Sequence, residues 1–226
     1  MQTSRFNGSR VGIVQFPGSN CDFDCFHAFR KRFGIELISI WHTETTLPAI
    51  DRLILPGGFS YGDYLRGGAL ASHSPIMQDA KRFAAAGGAI LGICNGFQIL
   101  TEAHLLPGVL LKNASRKFIC RQSELVVASG HSPYHKALAG LALRLPIAHG
   151  EGRYYAEPET LERLRAKGQV LLRYADNPNG ALDAIAGIVS DNGRVMGLMP
   201  HPERAVDSLL GGSEDGTKLL EAFLAS

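Results

Sequence analysis

The run Ala89-Ile90-Leu91-Gly92-Ile93-Cys94-Asn95-Gly96-Phe97-Gln98-Ile99-Leu100 decides how the chain folds. It opens as an unbroken apolar segment, without the polar alternation of a half-exposed strand. That pattern predicts a strand buried on both faces of a parallel sheet. Gly92 and Gly96 then bracket Cys94 as G-x-C-x-G, a spacing that permits a sharp strand-to-helix turn with a nucleophile lifted above the sheet. The following helix would present its N-terminal N–H groups and the positive end of its dipole to the sulfur. The same run also fits a cysteine that is merely a small buried hydrophobe. The stretch alone does not separate the two readings.

Working outward, Val11–Phe16 reads as a first strand closed by the turn residues Pro17-Gly18-Ser19-Asn20. Ser19, Asn20 or Asp22 can cap a helix running to about Phe33, with Gly34 as its stop. Glu36–Trp41 and Leu53–Leu55 are further strands, and Ser74-Pro75 opens a helix that ends at Gly87-Gly88. Strand, helix, strand alternation implies right-handed crossovers and an open, mostly parallel twisted sheet with helices on both faces, a flavodoxin-like α/β fold. From Val109 to about Ile147 short alternating segments predict a small antiparallel addition at the sheet's edge. Glu157–Lys167 reads as a helix and Val170–Tyr174 as a strand. Asp191-Asn192-Gly193 marks a hairpin whose second arm runs into Pro200-His201-Pro202-Glu203. A helix over about Gly216–Leu224 closes the chain. The expected organisation is a polar tail over residues 1–9 and one domain over residues 10–226.

With 226 residues, 45% of them hydrophobic and 19% charged, the chain suits a single soluble α/β domain. A net charge of +2 without a Lys/Arg run argues against nucleic acid or an anionic membrane as partner. No apolar stretch approaches the roughly 20 residues of a membrane span, and the first ten residues lack a signal-peptide core. A cytoplasmic enzyme is the expectation. Cys21 and Cys25 sit four apart, but no second ligand pair with zinc-site spacing follows. His131 and His135 share that spacing, yet Ser132-Pro133 between them argues against a metal-binding helix, so no metal is expected. Gly211–Lys218 has P-loop-like glycine spacing with Thr217-Lys218 in the wrong order.

Three loops are candidates to meet beyond the carboxyl ends of the parallel strands, where ligands bind in such sheets. They are Pro56-Gly57-Gly58, the Cys94 turn and Pro200-His201-Pro202-Glu203. A cysteine nucleophile needs a base that later protonates a leaving amine, and histidine does both near neutral pH. That histidine needs a carboxylate to fix its tautomer. His201 and Glu203 fill these roles, although H-x-E alone also fits a surface ion pair. Gly58 and Asn95 backbone N–H groups can form an oxyanion hole. Gln98, one helical turn beyond Cys94, is placed to bond a polar substrate, and reads equally as a capping or surface residue.

Together these residues resemble the class I, or triad-type, glutamine amidotransferases. The strings Phe16–Asp22, Gly57–Arg66, Gly92–Gln98 and His149–Gly152 are similar to one branch, whose members serve de novo purine synthesis. The resemblance implies that Cys94, His201 and Glu203 hydrolyse L-glutamine to glutamate and ammonia through a thioester. It implies a pocket that includes Gly57, Gln98, Ser115 and Phe118, and no cofactor in this chain. It further implies a separate large ATP-dependent synthetase subunit, which would hold ATP and Mg and convert formylglycinamide ribonucleotide to its amidine, and a small bridging subunit. The chain as given leaves no room for that synthetase. Asn20–Asp24 and Asp63–Arg66 read equally as docking or gating surfaces and as ordinary loop structure. Two other readings stay open at this point: a stand-alone cysteine hydrolase of the same fold, and a flavodoxin-like scaffold with a packed thiol.

Overall fold

A computed structural model describes Phe6 and residues 8–226. Its elements run β1 (Val11–Gln15), α1 (Asp22–Phe33), β2 (Ile38–Trp41), β3 (Arg52–Leu55), α2 (Ile76–Ala85), β4 (Ala89–Ile93) and α3 (Asn95–Glu102). They continue as β5 (Val109–Leu111), β6 (Ile119–Val127), α4 (Pro133–Leu138), β7 (Ala142–His149), β8 (Arg153–Tyr155) and α5 (Pro158–Ala166). The chain closes with β9 (Val170–Tyr174), β10 (Ile185–Val189), β11 (Val195–Leu198), α6 (Ser208–Gly211) and α7 (Asp215–Ala225).

The main sheet has the order β2-β1-β3-β4-β11-β10-β9-β6-β7. β4 is buried along its whole length, as its unbroken apolar run requires. Each fully buried Ile or Leu there contributes about 1.5–3 kcal/mol of transfer free energy. It pairs in parallel with β3 on one side and β11 on the other. Strand order reverses at β1, with β2 on one side and β3 on the other. Right-handed crossovers therefore carry α1 and α2 to opposite faces, and the carboxyl ends of β1, β3, β4 and β11 open on one shared rim.

The Asp191-Asn192-Gly193 turn joins β10 and β11 as an antiparallel hairpin. From β10 outward all pairings are antiparallel, through β9 and β6 to β7. The antiparallel addition expected after Val109 is thus continuous with the main sheet, while β5 and β8 form a separate two-stranded sheet. Gly34 ends α1 with φ 67°, as read from the sequence, but Cys21 takes the N-cap position in place of Ser19, Asn20 or Asp22 and gives no side-chain bond. α4 was not anticipated. Ser132 caps it by accepting the His135 N–H, and the buried His135 ring bonds Ser132 Oγ and Val170 O, a satisfied core histidine. Most of the expected polar tail lies outside the described residues, but Phe6 is buried edge-on against Phe33. Among the described residues no helix is long and apolar enough to cross a membrane.

Candidate active site

Cys94 sits between β4 and α3 at φ 50° and ψ −102°, a conformation that costs a non-glycine residue about 1–3 kcal/mol. Surrounding bonds hold it there: its N–H donates to Leu198 O at 2.7 Å, and its carbonyl accepts the Phe97 and Gln98 N–H groups. The flanking glycines are needed for close approach. A Cβ on Gly96 would stand 1.9 Å from Leu55 O, and one on Gly92 would stand 2.7 Å from the Gly96 carbonyl carbon. The G-x-C-x-G spacing is therefore the packing condition for folding α3 back over β3 and β4.

β11 lies beside β4 and delivers His201 to the same rim. The His201 N–H donates to Pro146 O at 2.8 Å, tying this loop to β7. Pro202 opens a single 3-10 turn, Pro202–Arg204, and this tight turn folds the Glu203 carboxylate back onto the imidazole. An extended His-Pro-Glu segment would also point the two side chains the same way; here the turn makes the contact. His201 Nδ1 and Glu203 Oε1 are 2.6 Å apart, with side chains 1% and 0% exposed. Burial pushes the His201 pKa down, but Glu203 and then Cys94 outweigh it and hold the imidazole proton well above the usual histidine range. The thiols of Cys94 and Cys21 both lie close to the imidazole. Its Nε2 and the remaining Glu203 Oε2 are sealed from solvent without a formed hydrogen bond.

Pro56-Gly57-Gly58 follows β3 and completes the rim. Gly58 adopts φ 136°, and a Cβ there would strike Asn20 N at 2.7 Å. The loop is pinned to the segment after β1 by bonds donated from Phe59 N–H to Gly18 O and from Cys21 N–H to Gly57 O, which leaves the Gly58 N–H out of the pinning. Asn95 is the first residue of α3, so its N–H has no acceptor within the helix. Its side-chain Oδ1 accepts the Ser60 N–H at 3.2 Å, coupling the two loops that carry these donors. A Cβ on Gly57 would stand 2.8 Å from His201 Cε1, so that glycine lets the loop lie against the base.

Gln98 is buried and turned toward the protein. Its Oε1 accepts from Asn95 Nδ2 at 2.8 Å and its Nε2 donates to Glu151 O at 2.6 Å. It thereby ties α3 to the His149–Gly152 loop. Asn113 holds the same loop by donating from Nδ2 to His149 O, while its Oδ1 accepts the Gly152 N–H. Since Oδ1 also faces His149 Nδ1, that nitrogen carries the proton. Ser115 is exposed and its Oγ accepts the Lys117 N–H. Phe118 stacks on Phe59 at a centroid distance of 6.4 Å, bringing its loop to the rim beside Gly58.

Sequence reasoning did not place Cys21, Asp63 or Glu151 in the site. Cys21 and Asp63 fell in segments read as docking or gating surfaces, yet Cys21 ends the loop after β1, one of the four strands whose carboxyl ends share the rim. Asp63 lies in a segment where Tyr61, Gly62 and Asp63 all have positive φ, and it accepts from Asn95 Nδ2 at 3.3 Å. Partial burial, with the Glu151 carboxylate nearby, lifts its pKa to about 6. Glu151 Oε2 in turn accepts the Gly67 N–H.

The model of the CobB/CobQ-like glutamine amidotransferase domain matches residues 8–213. The chain belongs to this glutamine amidotransferase family. It is 52% identical to the phosphoribosylformylglycinamidine synthase subunit PurQ of Salinibacter ruber, across 96% of each chain. It is 54% identical to the PurQ subunit of Thermus thermophilus, across 91% of this chain and 93% of that one. Among solved structures, PurLQS from Thermotoga maritima contains a chain 44% identical with a TM-score of 0.87, the match covering 96% of this chain and 98% of that one. A glutamine amidotransferase from Thermotoga maritima shares the fold alone, at 16% identity and a TM-score of 0.56, over 95% of this chain and 82% of that one.

Proposed function

We propose that this chain hydrolyses L-glutamine to glutamate and ammonia. The ammonia goes to a separate ATP-dependent synthetase subunit that converts formylglycinamide ribonucleotide to formylglycinamidine ribonucleotide in purine biosynthesis. The observation that carries the reading is the buried His201–Glu203 pair facing Cys94 at a strained turn, in a chain of the PurQ branch.

Cys94 Sγ, its proton passed to His201, attacks the side-chain amide carbon of glutamine. Negative charge moves onto the amide oxygen, where the Gly58 and Asn95 N–H groups receive it. His201 protonates the departing nitrogen, so ammonia leaves and a thioester to Cys94 remains. The neutral imidazole then takes a proton from water, the resulting hydroxide attacks the thioester, and glutamate is released. Glu203 holds the imidazole in the productive tautomer throughout. Gly57 makes room for His201, Gln98 positions the loop that forms one wall, and Ser115 and Phe118 border the amino-acid end of the substrate. The half-buried carboxylates of Asp63 and Glu151 suit an ammonium group there.

Residues 10–226 act as one glutamine amidotransferase unit in the cytoplasm, and ATP and Mg belong to the partner. The exposed Tyr64 and Leu65, 74% and 87% accessible beside Asp63, and Phe23, 74% accessible beside Asp22, form the surface on which the synthetase and bridging subunits settle. Glutamate release should be slow for the isolated chain and strongly stimulated by the synthetase, ATP and formylglycinamide ribonucleotide together. Fast turnover that no partner changes would favour the stand-alone hydrolase instead.

A further inference from the structure

At the end of the sheet away from Cys94, where β4 and β11 begin, lies a cavity of about 650 Å³. That volume is within the range of small-molecule sites, about 300–1,000 Å³. Its walls come from α2, the loop after α3, α5 and the β10–β11 hairpin. Ala84, Leu106 and Val195 are buried and give it an apolar floor.

One polar side chain sits beside that floor. Gln169 is 5% exposed, lines the cavity and donates from Nε2 to Val189 O at 2.9 Å. A carbonyl only accepts, so this bond fixes the amide and leaves Oε1 as its free end. Among the described residues no protein group bonds that oxygen, and it is not one of the orphan atoms sealed from solvent. A fixed acceptor in a buried side chain, open to a cavity, calls for a ligand N–H.

The mouth is basic. Lys81 comes from α2 and Arg163 from α5, and among the described residues neither side chain has an ion-pair or hydrogen-bond partner. Lys167 is offset by Asp191, the one carboxylate in the lining, at 2.7 Å. The helices α2, α3 and α5 all end beside the cavity, and each such end counts for about half a negative charge. The two full charges of Lys81 and Arg163 exceed the roughly 1.5 of the three helix ends, so the mouth stays positive.

We infer that this cavity binds a nucleoside monophosphate whose base carries an amino group. The ring lies on the apolar floor, the amino group donates to Gln169 Oε1, and the phosphate meets Lys81 and Arg163. A bare anion would leave the floor and Gln169 unused, and an apolar ligand would leave the two cations unused. The inference stands apart from the reaction at Cys94, because no residue of the cavity is assigned to glutamine hydrolysis.

Calorimetric titration of the full chain with adenosine monophosphate (AMP) tests it. AMP should bind with a Kd below about 1 mM, and about tenfold more tightly than adenosine or inorganic phosphate. Lys81→Ala combined with Arg163→Ala should weaken AMP by about tenfold at a parental denaturant midpoint. Purine riboside monophosphate lacks the amino group and should bind about fivefold more weakly than AMP, a difference that Gln169→Leu should erase. Alkylation of Cys94 should change none of these affinities. Absence of AMP binding, equal affinity for inorganic phosphate, unchanged affinity in the double variant, or loss on Cys94 alkylation would each overturn the proposal. Equal affinity of the parental chain for the two nucleotides would overturn the amino contact, whether or not Gln169→Leu folds.

Discussion

His201 Nδ1 lies 2.6 Å from Glu203 Oε1, and neither side chain reaches solvent. The carboxylate is the main influence raising the imidazole pKa against its burial. Glu203→Gln keeps the volume and removes the charge. It should lower kcat for glutamine hydrolysis by about 10²–10⁴-fold, with KM nearly unchanged. The histidine ionisation in the pH profile of kcat/KM should move to lower pH. Steady-state kinetics across pH checks both, and an unmoved profile would mean that Glu203 does not act on His201.

The elbow gives a stability prediction. Gly96→Ala places a methyl against Leu55 O at a distance that neither backbone segment can accommodate in place. Destabilisation of about 3 kcal/mol or more is expected, visible as a lower denaturant midpoint with little change in m-value, together with loss of glutaminase activity. Gly34→Ala, where a Cβ meets nothing within 4 Å but φ is 67°, should cost less, about 1 kcal/mol.

Two groups at the site bend stability against pH in opposite senses. Burial lowers the His149 pKa to about 4, so the unfolded chain binds a proton that the folded one refuses. Its contribution is complete above the ordinary histidine value of about 6.5 and declines as pH falls toward 4, by about 3 kcal/mol in full. Asp63, lifted to about 6, acts the other way: its contribution is complete below the ordinary aspartate value and fades as pH rises through 6. His149→Gln should remove the acid-side decline, and Asp63→Asn should steepen it. Denaturant melts of the three proteins between pH 4 and 7 measure both slopes, and parallel curves would contradict the assignment.

Much of this was legible in the chain, for reasons visible in particular residues. The unbroken run at β4, the Gly34 stop and the Asp191–Gly193 hairpin are local signals, and each produced its element. Cys94, His201 and Glu203 could be assembled because each lies just past a strand whose carboxyl end reaches the rim. What stayed hidden depends on long-range packing. Cys21 looks like a helix-start residue until Gly57 brings it to His201, and the Asp63–Glu151 proximity depends on Gln98 and Gly67 tying three loops together. α4 is only six residues long and is anchored by His135 to Val170, so its sequence carries little periodicity.

The central claim is a division of labour: this chain makes ammonia and a partner uses it. Cys94→Ala in the assembled synthase tests it most directly, with amidination of formylglycinamide ribonucleotide measured once with glutamine and once with ammonium chloride. Loss of at least about 10³-fold with glutamine, alongside near-parental rates with ammonium, is the expected result. Equal loss with both nitrogen sources, or persistence of glutamine-dependent synthesis, would contradict the account.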